Sequence, residues 1–228
     1  MIVFMLEIAV CLDYVLYSDN GNLIEEKLQN SPKSIKKEIR RKAIHLSSLW
    51  MPCLIYLLPQ HIVACLFLFL LTCDFIFEYG YYKRCRWARK TFGSLFYKTL
   101  RNKEMLDGKF HPTGSIYVLT AALLCSCFFY KYAAIIGLTV MLVADSAAAL
   151  VGMTFGKIKI YKNKTLEGTL AFFFSAILVN IILSNIHSFG IYSIFACGAA
   201  TFAELFEDKI KIDDNLSVPL LIAGILSL

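Results

Sequence analysis

Long apolar runs alternate with short polar connections along most of this chain. A helix that crosses a bilayer needs about 20 mostly apolar residues. Runs suited to that role cover residues 43–58, 61–77, 112–129, 133–153, 168–184 and 190–206, and Pro59 separates the first two. The stretch 216–228 is short for a full span and is read as tilted or partial. Residues 1–17 are apolar but carry Glu7 and Asp13, so they read as a further membrane helix or an interfacial one. The pattern predicts an all-α fold, a polytopic transmembrane bundle of about 6–8 membrane helices. No internal repeat or low-complexity stretch is visible. An N-terminal apolar segment, 1–30, precedes one membrane-embedded domain, 31–228.

Charge turns this pattern into a topology. Four alternate connections, 27–42, 83–109, 157–164 and 209–211, hold 22 of the 23 Lys and Arg residues, and Lys131 is the exception. Basic residues collect on the cytoplasmic side of membrane proteins. Those four connections are therefore expected inside, and the protein multi-pass. The connection 83–109 interleaves basic residues with Ala88, Phe92, Leu95, Phe96 and Leu100 at helical spacing. That suits a cytoplasmic amphipathic helix in the headgroup layer.

Composition agrees. The chain is 58% hydrophobic and 18% charged, against about 25% charged in an ordinary soluble domain. The net charge of +6 does not point to nucleic acid, because the basic residues sit in blocks between the apolar runs. Most of the eight cysteines lie inside those runs without metal-ligand spacing and read as small hydrophobes.

Five polar clusters are candidates for chemistry. Arg41 and Lys42 fit an orientation anchor, but His45 stands one turn into an apolar run and shares a helical face with Lys42. It reads either as a packed residue or as a group that meets an anion. Pro112, before Thr113 and Gly114, reads as the first turn of a helix, whose free N–H groups can hold phosphate. Asp145 lies about 12 Å from the inner end of its run, and an ionisable group at that depth points to function. Ala149, Gly152 and Gly156 follow on its face. Close helix packing accounts for these small residues but not for the Asp.

Lys164-Thr165-x-Glu167-Gly168 offers a phosphate cation and a carboxylate, or simply a capped helix start. Glu204, Glu207, Asp208, Asp213 and Asp214 form an acidic group on an otherwise basic face. Hard oxygen donors of this kind suit Mg²⁺. Phosphoryl transfer asks a protein mainly for positioning and charge neutralisation. The clusters together read as a membrane enzyme that handles a nucleotide.

In order and spacing, Arg41-Lys42-x-x-His45, Asp145 to Gly152, Gly156-Lys157, Lys164-Thr-x-Glu167-Gly168 and Asp213-Asp214-Asn215-x-x-x-Pro219 resemble the dolichol kinase, phytol kinase and CTP-dependent diacylglycerol kinase family. The resemblance runs from Glu38 onward, and the length is similar to bacterial diacylglycerol/polyprenol kinases. It implies transfer of a phosphoryl group from CTP to a lipid hydroxyl, with Mg²⁺, at the cytoplasmic face of a bacterial inner membrane or of the endoplasmic reticulum. Carried over by position, Asp145, Lys164 and Glu167 would be catalytic. Arg41, Lys42, His45, Thr113, Gly114, Gly152, Gly156, Lys157, Thr165 and Gly168 would meet the nucleotide. Asp145, Asp213, Asp214 and Asn215 would hold metal, and Asp145 is the first candidate for a general base. The implied partners are a lipid substrate, a nucleoside triphosphate and the bilayer.

The related phosphatidate cytidylyltransferases share the Asp145 stretch and the Lys-Thr-x-Glu-Gly motif. Their C-terminal signature, a Lys-Arg pair, an Asp and a His-Gly-Gly end, is missing, which favours the kinase. A transporter is the remaining reading, but no inverted repeat or pair of broken helices supports it.

Overall fold

The computed structural model describes residues 33–83, 85, 110, 112–162, 164–183 and 190–228. The N-terminal segment and nearly all of the amphipathic stretch expected between Lys83 and Lys109 lie outside these. The described residues are helical apart from one hairpin. In chain order they form α1 (Lys33–Ser47), α2 (Trp50–Leu57), α3 (Gln60–Tyr82), α4 (Gly114–Phe128), α5 (Lys131–Phe155), β1 (Lys159–Tyr161), β2 (Lys164–Thr165), α6 (Leu166–Ile182), α7 (Ile191–Leu205), α8 (Glu207–Ile210) and α9 (Asp214–Leu226). The all-α class holds. The hairpin is antiparallel, with Lys159 opposite Thr165 and Lys162 in the left-handed region at φ 47°.

Two boundaries differ from the sequence reading. The run 43–58 is not one helix: the chain turns at Ser48–Leu49 and restarts as α2. Pro52 explains the break, since it cannot donate to the Ser48 carbonyl and is tolerated only in a first turn. Met51 N–H takes that carbonyl instead, at 2.9 Å. Pro112 also stands outside α4 rather than in its first turn, because the extended Thr113 (φ −79°, ψ 169°) is the N-cap.

Helix α5 is the axis of the molecule. Nearly every side chain from Ala133 to Ala148 is buried, and α1, α2, α4, α6 and α9 all pack on it. Small residues permit the closest approaches. A Cβ on Gly137 would lie 2.6 Å from the Pro219 carbonyl oxygen, and one on Gly168 would lie 3.0 Å from the Ala148 carbonyl oxygen. Two helices, α3 and α5, are long and apolar enough to cross a membrane. The outer helices turn large apolar side chains outward: Phe69 and Ile76 on α3, Phe174 and Leu178 on α6, Phe195 and Phe202 on α7. Soluble monomers rarely expose contiguous apolar surface on that scale.

Candidate functional site

The polar clusters meet at one end of the bundle, where α1, the last turns of α5, the hairpin, the end of α7 and the starts of α4 and α9 come together. Helix α1 carries Lys42 and His45 one turn apart on the face toward α5. Lys42 is buried and hydrogen-bonded to the Asp145 carboxylate. His45 Nε2 lies 3.4 Å from the same carboxylate oxygen without making a hydrogen bond to it. Arg41 does not reach Asp145 directly. Its guanidinium is paired with Glu38, with Nε 3.1 Å from each carboxylate oxygen, and it lies within electrostatic range of both Asp145 and Asp214.

The second cluster forms around Lys164. The hairpin lies against the α7–α8 turn, where Tyr161 packs on Phe206 with ring centroids 5.5 Å apart and Lys162 pairs with Asp208 at 3.1 Å. That seat points Lys164 at the acidic group. It is hydrogen-bonded to the buried Glu204 and stands 3.7 Å from Glu207. Burial alone lowers the pKa of an ammonium group, but the charges of Glu204 and Asp214 outweigh it and hold Lys164 above its ordinary value.

Glu207, Asp213 and Asp214 each offer a carboxylate oxygen, all within 4.8 Å of one another. Burial, then the nearby charges of Asp145, Glu207 and Asp213, push the Asp214 carboxyl well above the usual carboxylate range. Three hard oxygens crowded in this way match the donor set of a divalent cation. The Asn215 Oδ1 beside them is buried without a hydrogen-bond partner. Asp213 also caps α9, its Oδ1 accepting from the Asn215 N–H at 3.1 Å and from Asn215 Nδ2 at 2.6 Å.

The residues expected to share a metal are thus divided. Asp213, Asp214 and Asn215 gather with Glu207, whereas the carboxylate of Asp145 is taken up by Lys42 and His45. The two groups adjoin, since Asp214 feels the charge of Asp145.

The remaining expected residues fall in two places. Gly114, at the start of α4, faces the Asn215 side chain, 3.7 Å from where its Cβ would stand. Gly152, Gly156, Thr165 and Gly168 are spent on each other: a Cβ on Gly152 would lie 3.2 Å from Thr165 Oγ1, and one on Gly156 2.8 Å from it. The small face below Asp145 is filled by α6 and is not an open groove. Thr165 caps α6, accepting from the Gly168 N–H at 3.2 Å. Glu167 accepts the Ile158 N–H at 3.3 Å, which secures the entry to the hairpin beside the exposed Lys157.

One group was not marked in the sequence. Asp74 and Glu78, one turn apart on α3, are 7% and 4% exposed. Thr113 gives Glu78 both its N–H, at 3.1 Å, and its hydroxyl, and Ser115 Oγ lies 3.2 Å from the same carboxylate. Ser115 also lies close to Asp74. The rule that singled out Asp145, an ionisable residue inside an apolar run, applies equally to Asp74.

No family model and no solved structure matches the chain. Over 186 residues it is 29% identical to an uncharacterized protein of Rickettsia prowazekii (strain Madrid E), covering 80% of this chain and 90% of that protein. Over 131 residues it is 38% identical to an uncharacterized protein of Methanocaldococcus jannaschii, covering 56% of this chain and 63% of that protein.

Proposed function

We propose that this protein is a multi-pass membrane lipid kinase, which transfers the γ-phosphoryl group of a nucleoside triphosphate, CTP by resemblance, to the hydroxyl of a membrane lipid such as a polyprenol or diacylglycerol. One observation carries the reading. The buried Lys42, paired with Asp145, and the partly buried Lys164, paired with Glu204, share the end of the bundle with a three-carboxylate cluster, on the side where the basic connections lie. Anion-binding and cation-binding groups placed side by side are what a metal–nucleotide complex requires.

The roles follow from the contacts. Lys164 and Lys42 neutralise phosphate oxygens, each ammonium having three donors and so keeping its carboxylate partner while it meets the anion. Asp145 holds Lys42 and His45 in place and acts as a positioning residue. Glu207, Asp213 and Asp214 would hold Mg²⁺, which supplies charge neutralisation for the triphosphate when bound. Asp213 fixes the start of α9 and so the direction of that cluster. The outward apolar faces of α3, α6 and α7 support a bundle of about six to eight spans, with the site on the cytoplasmic face.

The test uses CTP labelled at the γ- or the α-phosphate, purified protein and a panel of lipid alcohols and phosphatidate. A kinase carries only the γ label into lipid and leaves CDP. Lipid carrying the α label, with pyrophosphate released, establishes a cytidylyltransferase instead. Neither label in any lipid rejects both enzymes.

A further inference from the structure

A kinase must also hold the hydroxyl that it phosphorylates. We infer that Asp74 and Glu78 of α3, with Thr113 and Ser115 at the start of α4, bind the hydroxyl of the lipid alcohol, and that Asp74 accepts its proton. The chemical step rests on the kinase reading; alcohol binding at this site stands on the geometry alone.

The first argument is a count of hydrogen-bond donors. Two carboxylates present four acceptor oxygens. Thr113 N–H, Thr113 O–H and Ser115 O–H all go to Glu78, so the single proton of Ser115, the hydroxyl beside Asp74, is already in use. Thr113 Oγ1 and Ser115 Oγ are themselves 2.8 Å apart. Asp74 Oδ2 is buried with no partner at all. A buried polar atom left in that state is costly and calls for a donor from outside the chain. An alcohol fits the deficit, because it donates one hydrogen bond to Asp74, beside the Ser115 hydroxyl.

The second argument is access for the lipid chain. Beside the acidic pair, Phe75, Ile76 and Tyr79 of the same helix are about half exposed on its outer side. Phe110 packs edge-on against Phe75, Tyr79 and Tyr82, with centroids 5.6, 5.9 and 5.7 Å apart. Lys83 stands over two of those rings, 5.6 and 5.7 Å from their centroids. An aromatic ledge topped by a cation marks the headgroup level of a membrane. Asp74 lies about 12 Å along α3 from Tyr82, so a hydroxyl there belongs to a molecule whose tail rests in the apolar layer.

The third argument is proximity to the phosphoryl site. Tyr117, one turn into α4, lies within electrostatic range of both Glu78 and Asp213. Gly114, between the two hydroxyl residues, faces Asn215. On transfer, the alcohol oxygen forms a bond to the γ-phosphorus. The bridging P–O bond breaks, with its electron pair leaving on the nucleoside diphosphate, and the hydroxyl proton passes to Asp74 Oδ2. Asp145, already ion-paired with Lys42, is poorly suited to that task.

The experiment is photo-cross-linking of full-length protein in detergent with a diazirine-bearing farnesol, competed by farnesol or by farnesyl methyl ether. The alcohol is expected to compete about tenfold better than the ether, the worth of one hydrogen bond to a charged group, with label on the peptides around residues 75–79 and 113–117. Asp74→Asn removes the preference, and Ser115→Ala reduces it severalfold, which keeps the test open if Asp74→Asn does not fold. Equal competition by the ether, label confined to other helices, or a preference that survives both substitutions overturns the inference. An intact alcohol preference without γ-label transfer rejects the kinase reading and leaves this site standing.

Discussion

Lys42 and Asp145, separated by 103 positions in the chain, are joined in a buried ion pair. Removing one partner of such a pair leaves an uncompensated charge and costs about 3–5 kcal/mol, whereas replacing both with apolar residues is often close to neutral. Asp145→Asn and Lys42→Met are each expected to insert in the membrane, to unfold at lower temperature and to lose γ-label transfer. The double substitution Lys42→Met/Asp145→Leu is expected to recover thermal stability without recovering activity. Activity in the double variant would reduce the pair to a structural role.

Asp214 sets a pH dependence. Its folded carboxyl titrates well above an unfolded one, from burial and from Asp145, Glu207 and Asp213. A raised carboxyl contributes stability that is full below the unfolded pKa and is lost as pH rises through the folded value. Without divalent cation, the melting temperature should therefore fall as pH rises. Mg²⁺ must displace the proton, so its apparent affinity should increase with pH and the fall should diminish when it is present. Asp214→Asn is expected to weaken Mg²⁺ binding about tenfold or more and to flatten both trends, as read by thermal melts across pH with and without the ion; the size follows from losing one carboxylate ligand.

Gly137 tests how closely α9 must approach α5. Gly137→Ala places a methyl 2.6 Å from the Pro219 carbonyl oxygen, and backbone cannot yield as a side chain does. A loss of about 1–3 kcal/mol is expected. Turnover should fall with it, because α9 carries Asp214. Gly198→Ala is the control, as nothing lies within 4 Å of its added methyl.

Topology can be read in intact cells with a membrane-impermeant maleimide and cysteine-free protein. Tyr130 and Lys162 are both exposed, and the proposed topology, drawn from the charge distribution, has them on opposite sides. A cysteine introduced by Tyr130→Cys should react in intact cells. One introduced by Lys162→Cys should react only after permeabilisation. The reverse pattern would invert the orientation and place the site outside.

Helices were legible in the sequence because, among the described residues, each apolar run except 43–58 maps to one helix between polar connections, and the failures have local causes. Pro52 broke a run that hydrophobicity alone makes continuous. Thr113 displaced Pro112 from α4 because its groups go to Glu78 on another helix. In the site, Asp145 and the Asp213–Asp214 pair were visible as charges out of place, and Lys164 as a cation in a short motif. Their partners were not, since nothing local ties Lys42 to Asp145 or Lys164 to Glu204. Gly152 and Gly156 were visible as a smooth face, but whether a ligand or α6 fills it depends on Thr165 and Gly168 coming back over it. Asp74 was missed although its position in an apolar run was plain, and Glu78 because it falls just past the end of that run.

The contact of Gly152 and Gly156 with Thr165 and Gly168 also constrains motion. Where backbones approach this closely, α5 and α6 can neither slide nor part without losing the seam along its length. Asp145 lies at one end of the seam and Lys164 at the other, so the separation of these two groups is fixed like two points on one rigid plate. On the kinase proposal, the opening that admits a nucleotide and releases a product then falls to the elements outside the plate: α1, which brings Lys42, and the α8–α9 turn, which brings the carboxylates.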